Sequence, residues 1–212
     1  PRDNPGMQLA RVEDKMGLRI SDTAALSFTE CRIPLDHVLG SAEIADTEAA
    51  RKKAFGGVMQ TFDNTRPMVA AMALGVARAA LEITTEILEK EGVKADFSKT
   101  PYNSSAIELG LYRREADLDA ARLMTYKAAW MADNTIFNNL EASMAKAKAG
   151  RWGTLITQKC CALLGPMGFS TKHLAEKWMR DSKIMDIFEG TGQIQHLIIA
   201  RNILKLSSKE LK

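Results

Sequence analysis

The stretch Met68-Val69-Ala70-Ala71-Met72-Ala73-Leu74-Gly75-Val76-Ala77-Arg78-Ala79-Ala80-Leu81-Glu82-Ile83 decides the fold class. Its apolar residues recur at three- and four-residue steps, notably Met68, Met72, Gly75, Val76, Ala79, Ala80 and Ile83, which is the spacing of a helix face. The same period extends outward from about Thr47 to Glu91, and Gly92 supplies a C-terminal stop. A polar connection from Val93 to Ser104, with Pro101 inside it, follows. The pattern then predicts a second helix from about Ser105 to Asp133, with Leu109, Leu111, Leu118, Ala121 and Leu123 directed inward. A third is expected over roughly Leu140 to Leu164, ended by the Gly165-Pro166 break. Shorter helices over about His173 to Asp181 and Gly192 to Leu206 complete the set. Long helices joined by short links predict an antiparallel bundle.

Toward the N-terminus the period changes. Residues 6 to 39 read as strands, with Met7 to Val12 and Leu26 to Phe28 set among Gly, Pro and Asp turns. Two or three strands do not make a stable sheet alone, so further chain is expected to complete it. Opening on Pro1 rather than Met fits an excised segment, a cleavage product or a mature piece. The expected fold class is therefore mainly α: an antiparallel four-helix bundle over residues 41–212, with a short β fragment over residues 1–40.

Composition narrows the function classes. Hydrophobic residues make up 46% and charged residues 26%, which suits a globular chain with a sizeable core. Twenty-nine Lys and Arg against 26 Asp and Glu leave a charge of only +3, with no basic stripe to bind nucleic acid. Cys31, Cys160 and Cys161 form neither a disulfide framework nor a metal-ligand spacing, and a reducing compartment, the cytosol, is expected. No apolar run approaches the roughly 18 residues that span a bilayer. No signal peptide is read at the start. His37, His173 and His196 read as solvated or partly packed, Cys160 and Cys161 as helix residues facing inward, and Lys146 to Arg151 as a solvated helix face.

Four stretches in order carry a resemblance. They are Glu13-Asp14-Lys15-Met16-Gly17-Leu18-Arg19 with Ser21-Asp22-Thr23; Cys31-Arg32-Ile33-Pro34 with Val38-Leu39-Gly40; Phe62-Asp63-Asn64-Thr65-Arg66-Pro67; and Met179-Arg180-Asp181-Ser182-Lys183-Ile184 running through Ile187-Phe188-Glu189-Gly190-Thr191-Gly192-Gln193-Ile194-Gln195 to Ala200-Arg201. Together they resemble the acyl-CoA dehydrogenase family: the end of its middle β-domain, the exit into its C-terminal helical domain, the opening of the first long helix there, and its most diagnostic segment. The resemblance implies an FAD-dependent α,β-dehydrogenation of an acyl-CoA thioester. It also implies that the N-terminal helices and the β-segments that clasp the flavin lie outside this chain, which alone would be inactive. By the same resemblance the protein is an oligomer that passes electrons to an electron-transfer flavoprotein, in the cytoplasm or, in a eukaryote, the mitochondrial matrix.

The resemblance assigns roles residue by residue. Glu189 takes the position of the base that removes the α-proton, with its backbone N–H helping to polarise the thioester carbonyl. A base for this step must sit close to the substrate and be shielded from water. The alternative for Glu189 is a carboxylate placed favourably at a helix start. Phe188 and Gly190 flank it as substrate contacts. Thr191 and Gln193 resemble positions that hydrogen-bond the phosphate and ribose region of FAD, where a helix N-terminus suits an anion; an ordinary N-cap at Thr191 is compatible with that. Asp63 and Arg66 resemble residues near the coenzyme A ribose and the catalytic carboxylate, with a surface i, i+3 ion pair as the alternative. No metal is implied.

One group of positions departs from the family pattern. Family members reach across a dimer to the neighbour's FAD with an Arg, a Phe-Gly and two Gln residues. Here those positions hold Lys94, Phe97 with Ser98, Ser105, and Ala162. Lys94 keeps a charge without the planar fork of Arg, so of this group only Phe97 is retained as a cofactor contact. The losses fit a base-bearing subunit of a hetero-oligomer, or a homodimer that grips FAD differently. An acyl-CoA oxidase on the same scaffold and a non-catalytic assembly subunit are the rival functions.

Overall fold

The computed structural model describes residues 2–38 and 46–211. Strands β1 (Met7–Val12) and β2 (Ala24–Phe28) pair antiparallel, Met7 opposite Phe28 and Val12 opposite Ala24, with a bulge between Leu9 and Arg11. Helices α1 (Glu48–Lys90), α2 (Ala106–Asp133), α3 (Asn139–Leu164), α4 (Ala175–Ser182) and α5 (Gly192–Leu204) follow. The expected bounds hold to within about two residues, and the expected boundary between β fragment and bundle, at residues 40 and 41, lies outside the described residues.

Local chemistry sets the helix ends. Thr47 caps α1 by accepting from Ala50 N–H, and its C-terminus closes at Gly92 with φ +85°. Ser105 begins α2 with a full capping box: its hydroxyl accepts from Glu108 N–H while the Glu108 carboxylate accepts from Ser105 N–H. The helix starts at Glu48, as the spacing predicts, so the Phe62–Pro67 motif lies within it and not at its opening; it runs through Pro67, which has no N–H to give to the Asp63 carbonyl. About four turns of α1 before Asp63 stand clear of the bundle, with Phe55 and Val58 exposed.

The core lies where α1, α2 and α3 meet. Ala70, Ala73, Ala77, Ala80, Leu81, Leu118, Ala121, Ala145, Ala149, Ile156 and Cys160 are buried there. Alanine lets α1 and α3 run close: a Cβ on Gly153 would stand 3.2 Å from the Ala73 carbonyl oxygen. The face expected from the spacing is the other one. Met68 is 64% and Met72 46% exposed, and Gly75 is exposed, whereas Ala80 alone of that set is fully buried. On α2, Leu111, Leu118 and Ala121 are buried as expected, but Leu123 is 69% exposed. The expectation that no apolar run could span a bilayer is also corrected. Between Arg66 and Glu82 the sole charge is Arg78, so α1 is long and apolar enough by length and composition. In this fold it packs along α3 and α2, with 44% of that apolar window buried.

The β hairpin is tied to the bundle at one point. Leu18 N–H donates to Asp181 at 2.6 Å, and Arg180 donates to the Met16 carbonyl at 3.1 Å. Gly17 is pressed onto α4, where a Cβ would come within 2.1 Å of the Arg180 carbonyl oxygen. Burial disfavours the charged form of Asp181, but hydrogen bonds from Lys177 and Leu18 outweigh it and hold the carboxyl below its usual range. Two of the quoted motifs are thereby brought into contact.

Candidate active site

The site forms where α1, α3 and α5 converge on one turn. After a 3-10 turn at Lys183–Asp186, the chain enters left-handed backbone at two successive residues, Glu189 with φ +57° and Gly190 with φ +91°. Glycine accepts this readily, but glutamate does not, so the surrounding contacts must hold it. Thr191 then caps α5, its hydroxyl accepting from Ile194 N–H at 3.4 Å.

Three side chains hold the turn. Thr65 on α1 donates its hydroxyl to Glu189 Oε2 at 2.5 Å. Lys146 on α3 donates Nζ to the Gly190 carbonyl at 2.5 Å. Gln195 on α5 donates Nε2 to the carbonyls of Glu189 and Gly190, each at 3.2 Å. Glu189 Oε1 has no hydrogen-bond partner among the described residues, so one carboxylate oxygen is held and the other is free. Phe188 packs half-buried against the core beside it.

Asp63 and Arg66 lie behind this turn, not on an open surface. Both are 5% exposed, and Arg66 Nη1 meets Asp63 Oδ1 at 2.5 Å. Asn139 Nδ2 donates to the same oxygen at 2.8 Å, and Ser143 Oγ lies 3.4 Å from Arg66 Nη1. The pair is buried and networked, so it is not the solvent-screened i, i+3 bridge considered as the alternative. Arg66 Nε and Gln195 Oε1 are buried without a partner among the described residues. Buried polar atoms are normally satisfied.

On the far side of Thr191, the start of α5 lines a recess of about 200 Å³ with Gly192, Gln193, His196, Ala147, Arg151 and Asp186. Gln193 is exposed, and its side chain makes no hydrogen bond among the described residues. A larger apolar groove of about 480 Å³, between α1 and α2, is lined by Pro67, Met68, Ala71, Tyr126 and Ala129 and contains none of the expected site residues.

Phe97 belongs to another region. It follows the end of α1, while Thr65 lies well inside that helix, and the helical rise between Thr65 and the end of α1 is roughly 40 Å. Phe97 is 68% exposed and rests on Tyr112 with ring centroids 4.6 Å apart. Lys94, Ser98, Ser105 and Ala162 are likewise exposed. The structure thus brings Glu189, Gly190, Phe188, Asp63 and Arg66 together, with Thr191 and Gln193 adjoining, and sets Phe97 apart.

Three residues of the site were not singled out from the sequence. Thr65 and Gln195 sat inside quoted motifs without a role. Lys146 was read as part of a solvated face, yet it is 0% exposed. Burial pushes its pKa down to about 8, against the pull of nearby Asp186 and with Arg66 adding to the effect. The signal was present: Lys146 follows Ala142 by four residues and precedes Ala149 and Gly150 by three and four, all buried positions.

Comparison with known proteins decides the family. The family profile described as "Acyl-CoA dehydrogenase, C-terminal domain" matches residues 55–204. The chain belongs to the acyl-CoA dehydrogenase family. It is 36% identical to the mouse mitochondrial short-chain specific acyl-CoA dehydrogenase over 205 residues, covering 97% of this chain and 47% of that protein. The bovine counterpart is 37% identical with the same coverage. Among solved structures, butyryl-CoA dehydrogenase from Megasphaera elsdenii superposes with a TM-score of 0.79 at 30% identity, over 95% of this chain and 50% of that one. A glutaryl-coenzyme A dehydrogenase in complex with glutaryl-CoA gives 0.80 at 26%, over 100% and 51%. The chain thus spans about half the length of the relatives it matches, and its mainly helical fold matches that of their C-terminal domains.

Proposed function

We propose that this chain is the base-bearing half of an acyl-CoA dehydrogenase that introduces an α,β double bond into an acyl-CoA thioester. The observation that carries the reading is Glu189, fixed through one oxygen by Thr65 in a left-handed turn, with the other oxygen free to take a proton. The α-proton passes to that carboxylate, and its electron pair becomes the new bond as the β-hydrogen leaves with two electrons. Bound FAD supplies the acceptor for that hydride. Phe188 shields the carboxylate from water, and the N–H of Glu189, which has no acceptor among the described residues, is available to the thioester oxygen as charge grows there. Asp63 and Arg66 act from behind, fixing the part of α1 that carries Thr65, with Arg66 Nε left for a group this chain does not supply.

The residues at the start of α5 fit a cofactor of this kind. The Thr191 hydroxyl, the exposed Gln193 amide and the first-turn N–H groups offer donors suited to a phosphate or ribose. Phe97 offers an exposed aromatic face far from this turn, as a contact to a second subunit's FAD requires. The replacement of that region's Arg and Gln residues by Lys94, Ser105 and Ala162 supports a hetero-oligomer in which the neighbour supplies them. Ser105 has a local task in the capping box, which accounts for its identity without a ligand. An electron-transfer flavoprotein is the proposed acceptor. In a eukaryote the matrix is the proposed compartment, following the mitochondrial relatives.

The test is the visible spectrum of the protein that carries this chain, with its flavin, before and after anaerobic addition of a panel of acyl-CoA thioesters. Bleaching is expected, and Glu189→Gln should slow it by about a hundred- to ten-thousandfold, the scale of a lost catalytic base. Bleaching that survives Glu189→Gln would remove Glu189 as the base. A flavin-free protein without response would favour the assembly-subunit reading, and rapid reoxidation by oxygen the oxidase reading.

A further inference from the structure

Among the described residues Lys146 is the largest side chain that is fully buried, and nothing in the proposed chemistry yet uses it. A methionine would fill similar volume without the cost of desolvating an ammonium group. The Lys146 ammonium forms no ion pair among the described residues, although Asp186 and Glu189 are near enough to be felt, as are Arg66 and Lys183. Its one hydrogen bond among the described residues goes to a main-chain carbonyl, Gly190 O, at 2.5 Å.

That carbonyl does not stand alone. Gln195, also 0% exposed, donates to both Gly190 O and Glu189 O. Two consecutive carbonyls of the base-bearing turn are therefore drawn inward onto buried donors. In a planar trans peptide the N–H points opposite to the C=O. The N–H groups of Gly190 and Thr191 are consequently turned away from Lys146 and Gln195, and neither has an acceptor among the described residues. These two carbonyls belong to Glu189 and Gly190, both at positive φ, a conformation uncommon for glutamate. Close packing seats the lysine beneath the turn: a Cβ on Gly150, one helical turn along α3, would stand 2.8 Å from the Met185 carbonyl oxygen.

We propose that Lys146 is a positioning residue for the reaction, its ammonium holding the Gly190 carbonyl inward, with Gln195, so that the Glu189 carboxylate faces the substrate's α-carbon. This rests on Glu189 being the base. Lys146 touches neither substrate nor cofactor and acts through the turn.

The experiment is anaerobic single-turnover bleaching of the flavin-loaded protein by a thioester that bleaches the wild type, with and without deuterium at the α-carbon. Lys146→Met is compared with wild type per folded, flavin-bearing site. The rate at saturating thioester should fall by about thirty- to a hundredfold, the half-saturating concentration should stay within about threefold, and the α-deuterium isotope effect should rise, because a displaced base makes proton removal slower. Hydrogen exchange at the Gly190 and Thr191 amides should also change in the flavin-free protein. A wild-type rate and isotope effect, with only a shifted melting temperature, would make Lys146 a packing residue and overturn the proposal. If Lys146→Met does not accumulate in folded form, Lys146→Gln carries the same measurement, since it keeps a neutral donor but loses charge and reach; an unaltered rate there is equally fatal. A wild type that bleaches with no thioester removes the proposed function itself, a result distinct from a bleaching wild type with an equally active Lys146 variant.

Discussion

The two faces of α1 are both apolar and meet opposite fates. One presents Ala70, Ala73, Ala77 and Ala80, each 0% exposed, with Leu74 and Leu81 beside them. The other presents Met68, Met72, Gly75 and Val76, largely in the open. Polarity does not separate these faces, but side-chain size does. Alanine on the inner face lets the α3 backbone approach at Gly153, whereas methionine on the outer face would hold a neighbouring helix farther off. At its N-terminal end the inner face turns polar, through Arg66 and Asp63, and there it supports Thr65 and the base-bearing turn.

The sharpest way to break this contrast is at that polar end. Arg66→Met removes a buried cation and strands the Asp63 carboxylate, a change that costs about 3–5 kcal/mol when one partner of a buried pair is lost. Urea unfolding followed by circular dichroism would measure it. A variant as stable as wild type would mean that Asn139 alone satisfies Asp63. Next in size is Gly153→Val on α3, opposite Ala73. The added methyls meet a backbone carbonyl that cannot yield, and overpacking of this kind costs about 1–3 kcal/mol. A tolerated valine would show that α1 and α3 can part, and the size argument for the inner face would fall with it.

The same contrast explains what could be read from the sequence. Helix ends were legible from the apolar spacing and the Gly92 stop, and the structure adds the local chemistry that fixes them, the caps at Thr47 and at Ser105 with Glu108. The choice of inner face was not, because apolar spacing cannot rank alanine over methionine when both faces are apolar. Glu189 and its neighbours lie in one contiguous motif, so the candidate turn can be quoted whole from the sequence. Lys146 lies 43 residues before Glu189 and meets its turn only in the folded bundle, so no local pattern joins them. Its position on the buried stripe of α3 was visible, but Lys148 and Arg151 nearby made the segment read as a charged face, and Lys148 does lie over the Trp152 ring at 4.2 Å.

The smallest effect is expected on the outer face, and it is the most informative about what surrounds this chain. Met72→Gln replaces a half-exposed side chain that contributes little to the bundle itself, so the unfolding free energy of the dilute protein should change by no more than about 0.5 kcal/mol. Stability bound up with a second copy behaves differently, because it depends on protein concentration. The measurement is therefore the melting temperature of wild type and variant across a hundredfold range of concentration. A wild type whose melting temperature climbs with concentration, and a variant whose does not, would mean that the methionine face is covered by another subunit. Equal, concentration-independent temperatures would leave it a solvent-facing stripe. A loss of stability in the variant at every concentration would mean instead that other chain of the same protein packs there, and the inner and outer faces of α1 would then be two halves of one core.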